Sequence, residues 1–545
     1  MANPSLQIGN SKWAIKEDNL LGYSTAGTRF LPIPITMTRA SAGTRVNPQG
    51  LVETVELLGS EEITGFTNGT SYPYDTFTTS TNNITSAIVS SAWAGAASNA
   101  ISLVSGKVYK VTFDYTKNSG NDLRVKFSSQ FSGAGTGMSN TFLISASGSQ
   151  TLELIPTSTE TGYLQLGTAS GSDSLDISIT NVSVKESTKN NLARVDYTGS
   201  TSSLLAEPQR TNLITYSEDF SNAAWSISEL SFGSKVTSPT GTNDAITIIE
   251  TDATAQHNIF DAVVFTNEPY TLSCYAKLGT SSNRGIFLRV RDGNTSGTSY
   301  GIAFFNLSNA TFTTSGGISA NIENVGNGWY RCSLTVTAPN SSSFCLIGLA
   351  DGNSNYYDGD GTSNVFIWGA QVEQGSYATS IIPTNGSTVT RVKDQYSKTG
   401  ISDLIGQTEG TMFIEFIADE DIPQNMNIIN FNNSTQASVI INKRTGGEIN
   451  AKVYAVGSAV VDINSAVVSG TTKAAFAYKS GDNVLYVNGV PTSDSNTFTF
   501  NGVLSEVRLA AQEAYFNYGH KCNTSQVQIY KTRLSNSELA TLTTI

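Results

Sequence analysis

The sequence predicts an all-β protein built as serial β-sandwiches: two jelly-roll-like modules, the first inserted into a collar segment, then a third sandwich of different character. Three observations predict it. Short alternating apolar runs are separated by turn-rich clusters about every eight to twelve residues, the cadence of sandwich strands. Charged residues are only 14% of the 545, against roughly 25% in an average soluble protein, while 48 Gly, 22 Tyr and 24 Phe are spread along the chain. Finally, one irregular strand occurs twice. Val365 and Ile367 are followed out of phase by Ala370 and Val372, as Ile177 and Ile179 are by Val182 and Val184. A phase change of this kind marks a β-bulge, placed here at Gly369 and at Asn181, residue types that tolerate the required backbone angles.

Residues 1–56 read as an entry and collar segment, 57–186 as the inserted jelly-roll module and 187–212 as the continuation of the collar. Residues 213–385 form the second jelly roll and 386–545 the third sandwich. The two jelly rolls offer matching strands in the same order. Val108-Tyr109-Lys110-Val111-Thr112-Phe113-Asp114-Tyr115, Leu123 to Phe127 and Gly162 to Leu166 correspond to Tyr270 to Ala276, Ile286 to Val290 and Phe344 to Leu349. In the third region, Gly410 to Phe416 reads as one strand, and Ala475 to Gly489 as a strand, a tight turn and a second strand ending in Asn488-Gly489. Ser535 and Glu538 have capping-box spacing for one short closing helix.

Composition also excludes classes of function. Lys and Arg total 32 against 44 Asp and Glu, a net charge of −12 with no basic run. Nucleic acid is therefore not an expected partner, because phosphate binding needs concentrated positive charge. The start of the chain does not read as a signal peptide, and no stretch reaches the 18 apolar residues of a membrane span, so no membrane insertion is expected. Cys274, Cys332 and Cys345 share the phase of apolar neighbours and read as buried thiols, although a Cys332 to Cys345 disulfide is conceivable. His257 and His520 are the only histidines, which sets aside a multi-histidine zinc site.

Resemblance makes the reading more specific. Thr38-Arg39-Ala40-Ser41 through Glu53, and Arg194-Val195-Asp196-Tyr197 through Leu213, resemble the two halves of a motif that is nearly continuous in many bacteriophage structural proteins. Thr211 to Asn222 before Trp225, Gly328-Trp329-Tyr330-Arg331-Cys332, Trp368 to Glu373 and Tyr377 to Thr384 resemble the carbohydrate-binding-module-like domain of phage tail-fibre and virion proteins. The third region, with Tyr486-Val487-Asn488-Gly489 and Ile529 to Ser535, is similar to concanavalin-A or laminin-G lectin sandwiches. Such sandwiches host lectins, enzymes and structural modules alike.

Candidate ligand-binding residues follow from exposed aromatics. Tyr356 and Tyr357 fall in the loop Asp351 to Gly361, and could stack on a sugar, contact a subunit or pack locally. Phe366 and Trp368 stand where the first module has Ser178 and Thr180, so a polar face in one copy is aromatic in the other. That face is a sugar platform, a surface covered by another domain, or a subunit interface. Tyr515, Phe516 and Tyr518 crowd a turn-like stretch with His520. No cofactor is expected; Asp351, Asp358 and Asp360 are calcium candidates, set against the ordinary use of Asp-Gly pairs in turns. No nucleophile elbow, phosphate loop or HExxH pattern is present, and Glu415 with Asp419, Glu420 and Asp421 reads as a strand running into a solvated loop. The expectation is thus a non-enzymatic tail or head fibre of a phage virion, assembled in the bacterial cytoplasm. Its expected partners are itself, as a homotrimer by family resemblance, other virion proteins and a host surface glycan. The alternatives are a polysaccharide depolymerase and a purely structural capsid or tail decoration protein.

Overall fold

A computed structural model describes residues 3–9, 13–16, 19–24, 29–32, 35–68, 76–79, 82–88, 95–131, 136–198, 201–279, 284–293, 297–315, 318–338, 341–418, 425–433, 437–455, 457–510 and 521–545. They are almost all strand and turn, as the alternation requires, and divide into two compact units, Glu56–Lys189 and Met1–Val55 with Asn190–Ile545. The chain is an all-β protein of serial sandwiches.

In the unit Glu56–Lys189, two six-stranded sheets face each other. Val108–Gly120 runs antiparallel to Leu175–Thr188 in one, and Leu123–Ser128 to Glu160–Gly167 in the other. Tyr109, Val111, Phe113 and Tyr115 alternate on their strand and meet Val125, Phe127, Leu164 and Leu166 in one core.

The sandwich within 213–385 repeats this plan with two further six-stranded sheets. Its bulged strand, Asn364–Gln374, pairs with Pro269–Leu278, and the register skips Cys274: Ser273 faces Gln371 while Tyr275 faces Trp368. The same skip occurs at Phe113, between Thr112 opposite Ser183 and Asp114 opposite Thr180. Two residues oppose one in each module, and the residues named from sequence carry the left-handed backbone, φ 64° at Gly369 and 57° at Asn181. A Cβ on Gly369 would lie 2.5 Å from Cδ1 of the buried Ile381 and 3.1 Å from the Tyr275 ring. Gly369→Ala should therefore cost on the order of 2 kcal/mol in chemical denaturation, from positive φ plus overlap. Asn181→Gly, which keeps the bulge angle available, should stay within about 0.5 kcal/mol.

The third sandwich recruits the collar. Its eight-stranded sheet runs Arg194–Asp196, Ser203–Ala206, Cys522–Tyr530, Glu409–Ala418, Thr472–Lys479, Asn483–Val487 and Val490–Asp494, with Leu6–Ile8 beside Cys522–Tyr530. The facing seven-stranded sheet ends on Gln395–Thr399 and Thr36–Thr38. Strands from both collar halves and from the entry segment are therefore built into these two sheets. Trp13, buried, donates from Nε1 to Ser525 O at 3.0 Å. The closing helix is Asn536–Thr543, and Ser535 and Glu538 complete its capping box.

Where collar and sandwiches meet, charge replaces apolar packing. Arg39 meets Asp394 at 2.6 Å, Arg194 meets both Asp394 and Glu207 (2.5 Å to the latter), and Arg391 meets Glu207 at 3.0 Å. All five side chains are buried. The Glu207 backbone N–H donates to Asp394 at 2.8 Å, Ser380 Oγ donates to Glu207 at 2.6 Å, and Tyr396 Oη donates to Leu205 O at 2.9 Å. Burial alone would raise the Glu207 carboxyl, but Arg391 and Arg194 outweigh it and hold it well below the usual glutamate range.

Candidate binding surfaces

The aromatic residues singled out from sequence separate. Trp368 is 1% exposed and packs with Val52 of the collar, Ala245, Tyr275, Trp329 and Ile381, its ring 5.2 Å from that of Tyr275. Phe366 is partly buried against the same cluster. The face is covered by the chain's own collar and neighbouring segments, so Trp368 offers no platform to a sugar and that reading is corrected. Tyr357 is corrected likewise: it is 8% exposed, and its hydroxyl donates to Glu250 at 2.7 Å beneath the Arg284 guanidinium, 4.6 Å from the ring centroid. Arg284 in turn makes a two-pronged pair with Glu250, at 2.8 and 2.9 Å. Tyr356 is 61% exposed. Tyr515, Phe516, Tyr518 and His520 lie outside the described residues, as do Asp419, Glu420 and Asp421.

The three calcium candidates are used separately. Asp351 pairs with Arg284 at 3.1 Å, Asp358 accepts from Thr254 Oγ1, and Asp360 accepts from Thr362 and Ser363 in a tight turn. The hydrogen bonds from Ser363 and Thr362 hold the Asp360 carboxyl below the usual range. Among the described residues no three acidic, histidine or cysteine side chains form a metal-holding group. The four cysteines are buried free thiols, with Cys274 opposite Cys332 across two strands.

The strongest partly exposed feature lies on the other sheet of the same sandwich. Ile286, Leu288, Val290, Ile347, Leu349, Ala303 and Phe305 point into the core. Alternation therefore sends Phe287, Arg289, Arg291, Phe344, Leu346, Ile302 and Phe304 to the outside. There Phe287, Leu346 and Ala350 are buried beneath the partly buried Phe260, Ile302, Phe304 and Phe344. Register aligns Phe260, Leu346, Arg289 and Ile302 in one row, and Ala262, Phe344 and Arg291 in the next. Phe260 and Phe344 lie 4.9 Å apart, with the Arg291 guanidinium 4.8 Å over the Phe344 ring. Arg289 donates to Ser299 Oγ at 3.2 Å and Arg291 to Asp292 O at 3.1 Å; neither makes an ion pair among the described residues. Burial and the neighbouring Arg291 draw the Arg289 pKa down, which marks a crowded pair of cations. The face is aromatic and cationic, suited to stacking and to bonding oxygen-rich ligands.

No family model matches the chain, and no curated protein matches it. Among solved structures it is similar to the CBM22-1-CBM22-2 tandem domain of Paenibacillus barcinonensis Xyn10C, at 9% identity over 63% of this chain and 98% of that one, with a TM-score of 0.23. It is also similar to domains LG4-5 of the mouse laminin alpha1 chain (11% identity, 51% and 85% covered, TM-score 0.18) and to Trypanosoma rangeli sialidase (11%, 94% and 98%, 0.22). The last corrects an expectation. Enzymes stand among the structures this chain is similar to, and the non-enzymatic reading is withdrawn. At this identity and score the likeness is no evidence of activity either.

Proposed function

We propose that this chain is a glycan-binding component of a bacteriophage particle, and that a surface polysaccharide docks on the outer face formed by Phe260, Ile302, Phe304, Phe344, Arg289 and Arg291. The observation that carries the reading is the placement of two half-buried arginines among partly buried phenylalanines on one sheet face. Phenyl rings stack on the C–H faces of sugars, and guanidinium forks bond hydroxyl or carboxylate oxygens. A sheet face engages an extended chain through several weak contacts, and repeated copies on a particle, a trimer in this reading, multiply them through effective concentration. The particle role is supported by the collar and module motifs that resemble phage structural proteins.

The apolar character of the phenylalanines favours a second reading, in which the same face joins subunits. One pair of variants separates the two. Phe344→Ala and Arg291→Ala, checked for folding by circular dichroism, should weaken binding to host surface polysaccharide about tenfold while leaving the mass in light scattering unchanged. Unchanged glycan binding with a lower mass would replace the glycan face by a subunit interface.

A further inference from the structure

A cavity of about 270 Å³ lies where the collar, the second sandwich and the third sandwich converge, between Arg45 and Asp196 on one side, Tyr275, Glu323 and Arg331 on another, and Asn523 on a third. Arg331 is the unusual member. It is 7% exposed, its guanidinium lies 5.2 Å from the Tyr275 ring centroid, and its Nη2 donates to Ser273 Oγ at 3.1 Å. Its Nε has no acceptor and it makes no ion pair among the described residues. The other deeply buried arginines, Arg39, Arg194 and Arg391, are all matched to Asp394 or Glu207. Burial opposes the charge of Arg331, but Tyr275, Glu373, Glu323 and Glu207 acting through space outweigh that and raise its pKa, so it stays a cation whose Nε donor is unfilled beside the cavity.

Glu323 stands directly opposite Arg331 in the strand register, also lines the cavity, and makes neither ion pair nor hydrogen bond among the described residues. The cavity therefore offers a buried donor of fixed charge and a nearby acceptor, with the hydroxyls of Thr198, Thr201 and Ser203 on the collar side. Its volume is just under the roughly 300 Å³ where drug-sized pockets begin, which suits one sugar residue rather than a chain.

We propose that this cavity binds a carboxylate-bearing sugar, a uronic-acid type of ligand, with Arg331 holding the carboxylate and Glu323 accepting from ring hydroxyls. The proposal concerns a different site from the outer sheet face and stands without it. Calorimetric titration of the full chain with D-galacturonate, D-galactose and acetate at one ionic strength tests it. Galacturonate should bind about tenfold more tightly than either galactose, which lacks the charge, or acetate, which lacks the hydroxyls. Arg331→Gln should abolish that preference for galacturonate over galactose. Because Arg331 is buried and its loss can unfold the chain, Glu323→Gln provides an independent reading: removing the nearby negative charge should tighten acetate severalfold. Equal affinity for galacturonate and galactose, no heat with galacturonate, or indifference of acetate binding to Glu323→Gln would each overturn the assignment.

Discussion

Arg194→Met should destabilise the unit Met1–Val55 with Asn190–Ile545 by about 3 kcal/mol, the lower part of the range for breaking a buried ion pair. Arg194 is fully buried and bridges Glu207 and Asp394, while donating to Thr44 O at 3.1 Å and Ser380 Oγ at 2.7 Å. Methionine fills much of the volume but leaves two carboxylates short of a cation. The cost falls at the lower end because Arg39 still reaches Asp394 and Arg391 still reaches Glu207. Urea denaturation followed by tryptophan fluorescence reads the loss, and a change under about 0.5 kcal/mol would show that the network contributes little. Its pH dependence has a definite sign. Because the Glu207 carboxyl is depressed in the folded chain, its contribution is present above the unfolded value near 4.5 and is lost progressively as pH falls below it. The parent protein should therefore lose stability in acid more steeply than Arg194→Met, in a denaturation series from neutral pH down through 4.5.

Trp368→Ala should cost about 3–5 kcal/mol, as expected for emptying a large buried aromatic site. The ring is enclosed by Val52, Ala245, Tyr275, Trp329 and Ile381, and these come from distant segments that cannot close over the void without moving the collar. Hydrogen exchange should accordingly quicken in the hairpin Thr44–Val46 with Val52–Thr54, which carries Val52. Tyr356→Ala is the control: at 61% exposure it should change stability by less than about 0.5 kcal/mol. If Trp368→Ala costs no more than Tyr356→Ala, Trp368 does not hold Val52 of the collar against this sandwich.

Much of the fold was legible because it is local. Period-two alternation, the phase shifts at Asn181 and Gly369, and the Ser535 to Glu538 capping box are properties of a few neighbouring residues, and all are present. The outer sheet face was not legible, although it left a trace. Ile286-Phe287-Leu288, Phe344-Cys345-Leu346-Ile347 and Ile302-Ala303-Phe304-Phe305 are apolar on both phases. A run of that kind reads equally as a strand buried on both faces. Arg289 and Arg291, which share the phase of Phe287, were the signal that one of those faces meets solvent.

The reversal at Trp368 has the same root. Alternation correctly placed Phe366 and Trp368 on the face opposite the core, and their aromatic character correctly implied a contact. What covers them is supplied in part by Val52, separated from them in sequence by the whole inserted module, which no local pattern connects to them. The sequence by itself determined the strands, their bulges and the closing helix, since backbone sterics and side-chain period act over a few residues. Only the tertiary structure decided that Arg39, Arg194, Glu207, Arg391 and Asp394 share one buried network, that Trp368 lies inside, and that Arg331 lines a cavity with no direct ion pair among the described residues. Those are consequences of desolvation and proximity between residues up to hundreds of positions apart, and neither quantity exists until the sheets have paired.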